Sequence, residues 1–194
     1  MNISARHLRS AFLLAAATIA STPMASAAAI TQAGSGTDLS LGTSWNGGVA
    51  PGTGDVATWA DATALGGTLT LGSNVSWQGI DVQGATAAIV INGGTGVLTL
   101  GSSGINIASG AVDLTINNSR TFAANSTISI GSGRILTLAG GTTTFSAGTT
   151  TSLSGAGTMV LGTTNVITGS GALVIGSGFT LNNNLQASSS SSGF

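Results

Sequence analysis

From Thr68 onward the chain repeats one phrase, two or three alternating apolar residues followed by glycine with Ser, Asn or Thr. Leu69-Thr70-Leu71, Ile89-Val90-Ile91, Leu98-Thr99-Leu100, Ile105-Asn106-Ile107, Leu114-Thr115-Ile116 and Leu136-Thr137-Leu138 are clear members. Phe122, Phe145 and Leu153 mark weaker ones, and the phrase centres step by roughly seven to nine residues. Alternation with period 2 is the mark of a strand with one buried face. Glycines between the phrases supply the backbone freedom that tight corners need.

Such strands are too short to pack as a sandwich of hairpins, and Asn-Gly hairpin turns are scarce between them. A parallel β-helix uses units of this kind, two or three per coil, each stacked on its equivalent in the next coil. Fifteen phrases at three per coil predict about five coils, a rod on the order of 25 Å long at the usual strand spacing. Composition agrees, since only 5% of residues are charged. A charge repeated on every coil would face its own kind, whereas outward Thr and Ser satisfy strand propensity without charge. Asn74, Asn92, Asn117, Asn125, Asn165 and Asn182 sit at turn-like places and are expected to hydrogen-bond along the stack. Nearly half the chain after residue 27 is Gly, Ser or Thr, yet high hydrophobicity with low charge is the reverse of the disordered signature.

Residues 1–27 read as a secretory signal peptide. Arg6, His7 and Arg9 precede the apolar run Ala11 to Ala20, which is about half the length a spanning helix needs. Pro23 ends that run, and Ala25-Ser26-Ala27 places small residues before a cut between Ala27 and Ala28. Beyond the cut, the only charges are Arg120 and Arg134 against Asp38, Asp55, Asp61, Asp81 and Asp113. No His, Lys, Glu, Tyr or Cys remains. Two separated arginines give no basic footprint for nucleic acid, and the inventory lacks thiol and imidazole chemistry. No cofactor is expected, no metal site, and no enzyme.

Between export segment and repeats lies a distinct stretch, Thr43 to Trp59. Trp45 and Trp59 are apolar anchors on either side of a Pro51-Gly52 turn, in which Asp55 is placed to accept backbone N–H groups. This stretch is expected to cap the first coil. It resembles the opening of bacterial exported proteins with autotransporter-associated β-strand repeats. The matching positions are Trp45, Asn46, Gly47, Gly48, Val49, Pro51, Gly52, Gly54, Asp55, Ala57, Thr58 and Trp59, with Trp59 where Phe is commoner. The resemblance covers nearly all of the chain after residue 27. It implies a right-handed β-helix exposed on the cell surface or outer membrane, or secreted, in a Gram-negative-type bacterium. It also implies a passenger domain with an adhesive or matrix-forming role, an unidentified surface glycan or protein as ligand, and a translocator barrel downstream.

The expected organisation is a signal peptide at 1–27, an N-terminal cap at 28–66, β-helix repeats at 67–185, and a Ser-rich linker or truncated end at 186–194. An open final coil would expose a strand edge and invite self-association through the ends of the rod. Two other functions compete with the adhesive one. A polysaccharide-binding or polysaccharide-cleaving β-helix would need grouped carboxylates; Asp81 and Asp113 are candidates to share a face, and Arg120 and Arg134 to lie one coil apart, though the arginines read more simply as surface residues. An ice-binding solenoid would need Thr-x-Thr pairs once per coil. Thr68/Thr70, Thr142/Thr144 and Thr149/Thr151 have the local form but not that period.

Overall fold

A computed structural model describes residues 27–185 of the chain. The proposed signal segment, apart from Ala27, and the Ser-rich 186–194 lie outside the described residues. Within them, sixteen strands and a single 3-10 turn at Gly42–Ser44 build a parallel β-solenoid of about seven turns. The β-helix expected from the phrases is therefore what the chain forms, with two more turns than the phrase count predicts.

The strands are β1 (Ala28–Thr31), β2 (Asp55–Trp59), β3 (Gly67–Leu69), β4 (Val75–Val82), β5 (Ile89–Ile91), β6 (Leu98–Ile107), β7 (Leu114–Ile116) and β8 (Arg120–Phe122). They continue as β9 (Ser126–Ile130), β10 (Ile135–Leu138), β11 (Thr142–Phe145), β12 (Thr150–Gly155), β13 (Thr158–Leu161), β14 (Val166–Gly169), β15 (Ala172–Ile175) and β16 (Thr180–Asn183). Three faces result. The first stacks β3, β5, β7, β10, β13 and β16. The second stacks the opening residues of β4 and β6 on β8, β11 and β14. The third stacks β1, β2, the closing residues of β4 and β6, then β9, β12 and β15.

Every strand pairing is parallel, and each coil adds one strand per face. On the third face Ile105 stacks under Ile80, Ile128 under Ile105, and Leu153 under Ile128. On the first, Leu69, Ile91, Ile116, Leu138 and Leu161 make a second ladder. The three-residue strands β5 and β7 show why the phrases alternate, since their outer two residues are buried and the middle one faces out. Each enclosed Leu or Ile contributes about 1.5–3 kcal/mol by leaving water. Ladders of them are what hold short strands in place.

Two strands run longer than the phrases foretell. β4 and β6 turn the corner between the second and third faces without a break, and the register between them shifts at Trp77/Gly79. Gly104 makes that corner possible. It holds φ at +63°, and a Cβ there would lie 2.1 Å from the carbonyl oxygen of Thr127 on the next coil. Below it the corner is made by separate strands, β8 then β9, and β11 then β12.

The solenoid also begins earlier than Thr68. β1 pairs with β2, and β2 with β4, in the same sheet that runs through the later coils. Asp38 forms a parallel bridge with Thr70, which extends the first face upward. The Trp-rich stretch thus forms coils of its own, and Asp55–Trp59 is a strand with three buried residues at its end.

Candidate functional site

Outward residues of the second face repeat with the coil. Ser76 lies beside Thr99, Thr99 beside Thr121, Thr121 beside Thr144 and Thr144 beside Thr168, a hydroxyl at every level. The Thr144 and Thr168 hydroxyls are 2.9 Å apart and hydrogen-bonded along the stack. Ser119, just before β8, and Thr142 of β11 lie beside the column, where Ser119 Oγ accepts the Thr142 N–H at 3.1 Å. None of the five Asp and neither Arg projects outward from this face. The sequence reading missed the column because its members belong to different phrases. Only Thr142/Thr144 among the Thr-x-Thr pairs joins it, while Thr151 of another pair is fully buried.

Where the first face turns into the second, a shallow cleft of about 340 Å³ opens beside the column. Asn92, Thr95, Asn117, Asn118, Ser119 and Gly141 line it. Asn118 is 8% exposed and donates its amide to the carbonyls of Gly93 (2.9 Å) and Gly96 (3.0 Å), while its Oδ1 has no partner. The cleft and the column together offer amide and hydroxyl groups without charge. That chemistry suits a neutral, hydroxyl-rich surface contacted at many points. All three tryptophans are buried, so no indole is free to stack on a ligand.

Beneath this corner sits a residue read from sequence as a surface feature. Arg120 is 1% exposed, at the start of β8, on the ladder position held by Leu98 one coil before. Its Nε donates to Thr143 Oγ1 (2.7 Å), and Nη1 donates to the carbonyls of Ile116 (2.5 Å), Asn118 (2.9 Å) and Ala139 (3.2 Å). Nη2 donates to the Gly140 carbonyl (3.0 Å) and to Asn165 Oδ1, which also accepts from Thr143 Oγ1 at 2.9 Å. No carboxylate lies within salt-bridge reach among the described residues; oxygen dipoles from three successive coils carry the charge. Burial pushes the guanidinium down to about 10, so it stays a cation at neutral pH.

The other candidates for chemistry are dispersed. Arg134 lies at the corner before β10 and pairs with Asp113 at 3.4 Å, both partly exposed, a contact worth about 0–1 kcal/mol. Asp81 is outward on the third face, accepting from Gln83 (2.8 Å) and from Asn106 of the next coil (2.7 Å). Asp81 and Asp113 therefore occupy different faces, and Arg120 stacks on Thr143 and not on Arg134. No group of three or more metal-ligating side chains forms among the described residues. Of the turn asparagines, Asn74 accepts from Val97 N–H (2.9 Å), Asn125 from Thr150 N–H (2.8 Å), and Asn165 serves Arg120. The bonds of Asn74 and Asn125 reach into the next coil and that of Asn165 reaches two coils back, as expected, whereas Asn92, Asn117 and Asn182 make no side-chain hydrogen bond among the described residues.

The motif residues gather at the N-terminal end. Trp45 packs edge-on against both Trp59 and Trp77, with ring centroids 5.7 Å apart in each pair. Its indole N–H donates to the Leu39 carbonyl (2.9 Å), and that of Trp59 to Leu65 (3.1 Å). Asn46, Gly47, Gly48 and Val49 are exposed, with positive φ at both glycines. Pro51 is buried, and Asp55 Oδ2 accepts the Gly52 N–H at 2.9 Å, which closes the turn that leads past Gly54 into Ala57, Thr58 and Trp59. Asp38 does similar work one corner away. Burial pushes its carboxyl up, but Ser40 Oγ (2.7 Å), Gly72 N–H (3.0 Å) and Ser40 N–H (2.9 Å) outweigh that and hold it below the usual carboxylate range. Sequence reasoning gave no sign of Gln32, 1% exposed, whose amide oxygen takes the Leu65 N–H. In comparisons with known proteins, the chain matches no family, no curated protein and no solved structure.

Proposed function

We propose that the chain is a non-catalytic, exported β-helix segment with a structural and adhesive role, the passenger part of an autotransporter-like surface protein. The reading is carried by one observation, the uncharged hydroxyl column that rises one residue per coil beside the asparagine-lined cleft. A rigid face of this kind makes many weak contacts at fixed spacing, and repetition converts them into avidity. Its partner would be a neutral surface glycan or a polar protein face. The signal-like residues 1–27 and the resemblance of Trp45 to Trp59 support export to the cell surface of a Gram-negative-type bacterium, with translocation by a downstream barrel.

The test is expression of the full 194-residue sequence in a Gram-negative host, followed by fractionation and by adsorption to beads coated with neutral polysaccharide. The chain should leave the cytoplasm with Ala28 at or near its new N-terminus, and Thr121→Lys with Thr144→Lys should reduce adsorption several-fold. Retention in the cytoplasm with an intact N-terminus would sink the export reading. Adsorption unchanged by the double variant would sink the column as the adhesive surface.

The same column favours a second reading, contact with a flat crystalline lattice such as ice, for which it supplies at each coil one of the two hydroxyls of a Thr-x-Thr pair. Thermal hysteresis that falls on Thr144→Leu would support it, and none in the wild-type chain would end it.

A further inference from the structure

Two Asn-Gly pairs occur in the sequence, Asn46-Gly47 just after Trp45 and Asn92-Gly93 at the rim of the cleft. Both pairs are exposed. Gly47 and Gly93 hold φ at +84° and +82°, with nothing within 4 Å of either Cβ position. In such a pair the glycine nitrogen can attack the side-chain carbonyl carbon of the asparagine, because no side chain on the glycine shields it and its backbone turns freely. The structure holds the two pairs differently.

Asn46-Gly47 lies inside a closed turn. Gly48 N–H donates to the Trp45 carbonyl (3.1 Å), and Asn46 N–H to the Thr31 carbonyl (2.8 Å). Gly47 sits where a type II turn wants positive φ. Swinging its nitrogen onto the Asn46 side chain breaks that turn. Asn92-Gly93 has no such clasp. Asn92 N–H is tied to the Leu69 carbonyl (2.8 Å), but the N–H groups of Gly93, Gly94 and Thr95 have no acceptor among the described residues. The chain is next fastened by its N–H groups at Gly96, which donates to the Leu71 carbonyl (3.0 Å). The Gly93 carbonyl accepts from Asn118 Nδ2 at 2.9 Å, a bond that leaves the glycine nitrogen unengaged.

We propose that Asn92 is a self-modification site, at which the Gly93 nitrogen closes on the Asn92 carboxamide. That nitrogen loses its proton and bonds to Asn92 Cγ, the Cγ–Nδ2 bond breaks, and ammonia leaves. A five-membered succinimide remains. Water then adds to one of the two ring carbonyls and breaks its bond to the Gly93 nitrogen, which leaves aspartate or isoaspartate at this position. The sum is amide plus water to carboxylate plus ammonium, and no oxidant or reductant takes part. The product is ionised at neutral pH, in a cleft whose lining residues are otherwise uncharged. Isoaspartate also lengthens the main chain by one carbon just before the Gly93 carbonyl that Asn118 holds. A charge that must be desolvated against a neutral partner opposes contact, so conversion weakens binding at the cleft. This last consequence rests on the adhesive reading; the modification does not.

The test is peptide mapping by mass spectrometry of the full 194-residue chain, stored in mildly alkaline buffer either folded or in urea. In urea the two pairs should react alike. In the folded chain Asn92 should convert several-fold faster than Asn46, and Gly93→Ala should slow it several-fold. Equal rates at the two pairs in the folded chain, or the reverse order, overturn the proposal, as does conversion that Gly93→Ala leaves unchanged. Adsorption to neutral polysaccharide separates the consequence from the chemistry. Adsorption by the fresh chain that falls several-fold after conversion supports the loss of binding, and equal adsorption overturns it. A fresh chain that does not adsorb ends the adhesive reading and the loss of binding together, while the peptide map still decides the modification.

Discussion

Arg120 on β8 and Thr143 on β11 are stacked neighbours on the inward side of the second face, joined by a 2.7 Å bond from the guanidinium Nε to the threonine hydroxyl. The positions before and after them on this ladder are Leu98 and Ile167, so a polar step is set into an apolar column. It is tolerated because the corner turns several carbonyls inward; those of Asn118, Ala139 and Gly140 would otherwise lack donors there, while that of Ile116 also accepts the Ala139 N–H. Unpaired buried groups cost about 1–3 kcal/mol each. One planar fork with five N–H groups serves the whole cluster.

Arg120→Ala should accordingly lower stability by about 3–5 kcal/mol, the range found when one member of a buried charge network is removed. Arg120→Lys should recover part of that loss, since an ammonium keeps the charge but cannot span three coils from one nitrogen. Urea denaturation followed by circular dichroism would measure the order. A loss below about 1 kcal/mol for the alanine variant would mean that the network is not structural.

Much of the fold was legible because ladder residues announce themselves locally. Ile89-Val90-Ile91 and Leu114-Thr115-Ile116 carry the buried–outward–buried pattern in three letters. Three things were not legible. The strand through Val75-Ser76-Trp77 runs on through Gln78 and a single Gly79 into Ile80, so the corner lies inside one strand and no turn of several residues marks it. Arg120 is buried by carbonyls that only the stacked corner assembles. The hydroxyl column joins residues 22 to 24 positions apart, as in the step from Thr99 to Thr121, and coil lengths vary enough to hide it. The number of coils was underestimated for a related reason, since residues 28–59 follow no phrase yet contribute β1 and β2.

Two glycines separate crowding from strain. Gly104→Ala would drive a Cβ to 2.1 Å from the Thr127 carbonyl oxygen, a backbone atom fixed in the next coil. Gly133 has similar φ, +73°, but nothing lies within 4 Å of its Cβ position. Gly133→Ala should cost about 1–2 kcal/mol of left-handed strain, and Gly104→Ala several times that, or the loss of the folded state. Similar melting temperatures for the two variants would refute the crowding at the corner.

The tryptophan cluster makes an uneven prediction. The buried Trp77 indole N–H has no acceptor, whereas that of Trp45 is bonded to Leu39. Replacement by Phe removes the nitrogen in both cases, but only at Trp45 does it leave a carbonyl without its donor. Trp45→Phe should be worse than Trp77→Phe by about 1 kcal/mol, the worth of one hydrogen bond. Equilibrium unfolding of the two variants gives the difference directly, and the reverse order would contradict the assigned bonding.

Acid should loosen the N-terminal corner before the rest. Asp38 ionises below the ordinary carboxylate range because its hydrogen bonds outweigh burial. A carboxyl with a depressed folded pKa contributes stability that is complete above its unfolded value and is lost as pH falls through the folded one. Arg120, lowered only to about 10, is protonated in both states from about pH 4 to 8 and adds no slope there. Stability should therefore be flat from about pH 6 to 8 and decline below about pH 4, the unfolded range of Asp. Asp38→Asn keeps an acceptor for Ser40 but has no charge to lose, so it should start less stable at neutral pH and show a shallower acid decline. Hydrogen exchange at the Gly72 amide, which Asp38 holds at 3.0 Å, reports the corner itself. In the wild type its protection should fall with acid ahead of the Ile128 amide in the middle of the rod, and simultaneous loss at both sites would show that Asp38 does not govern the corner.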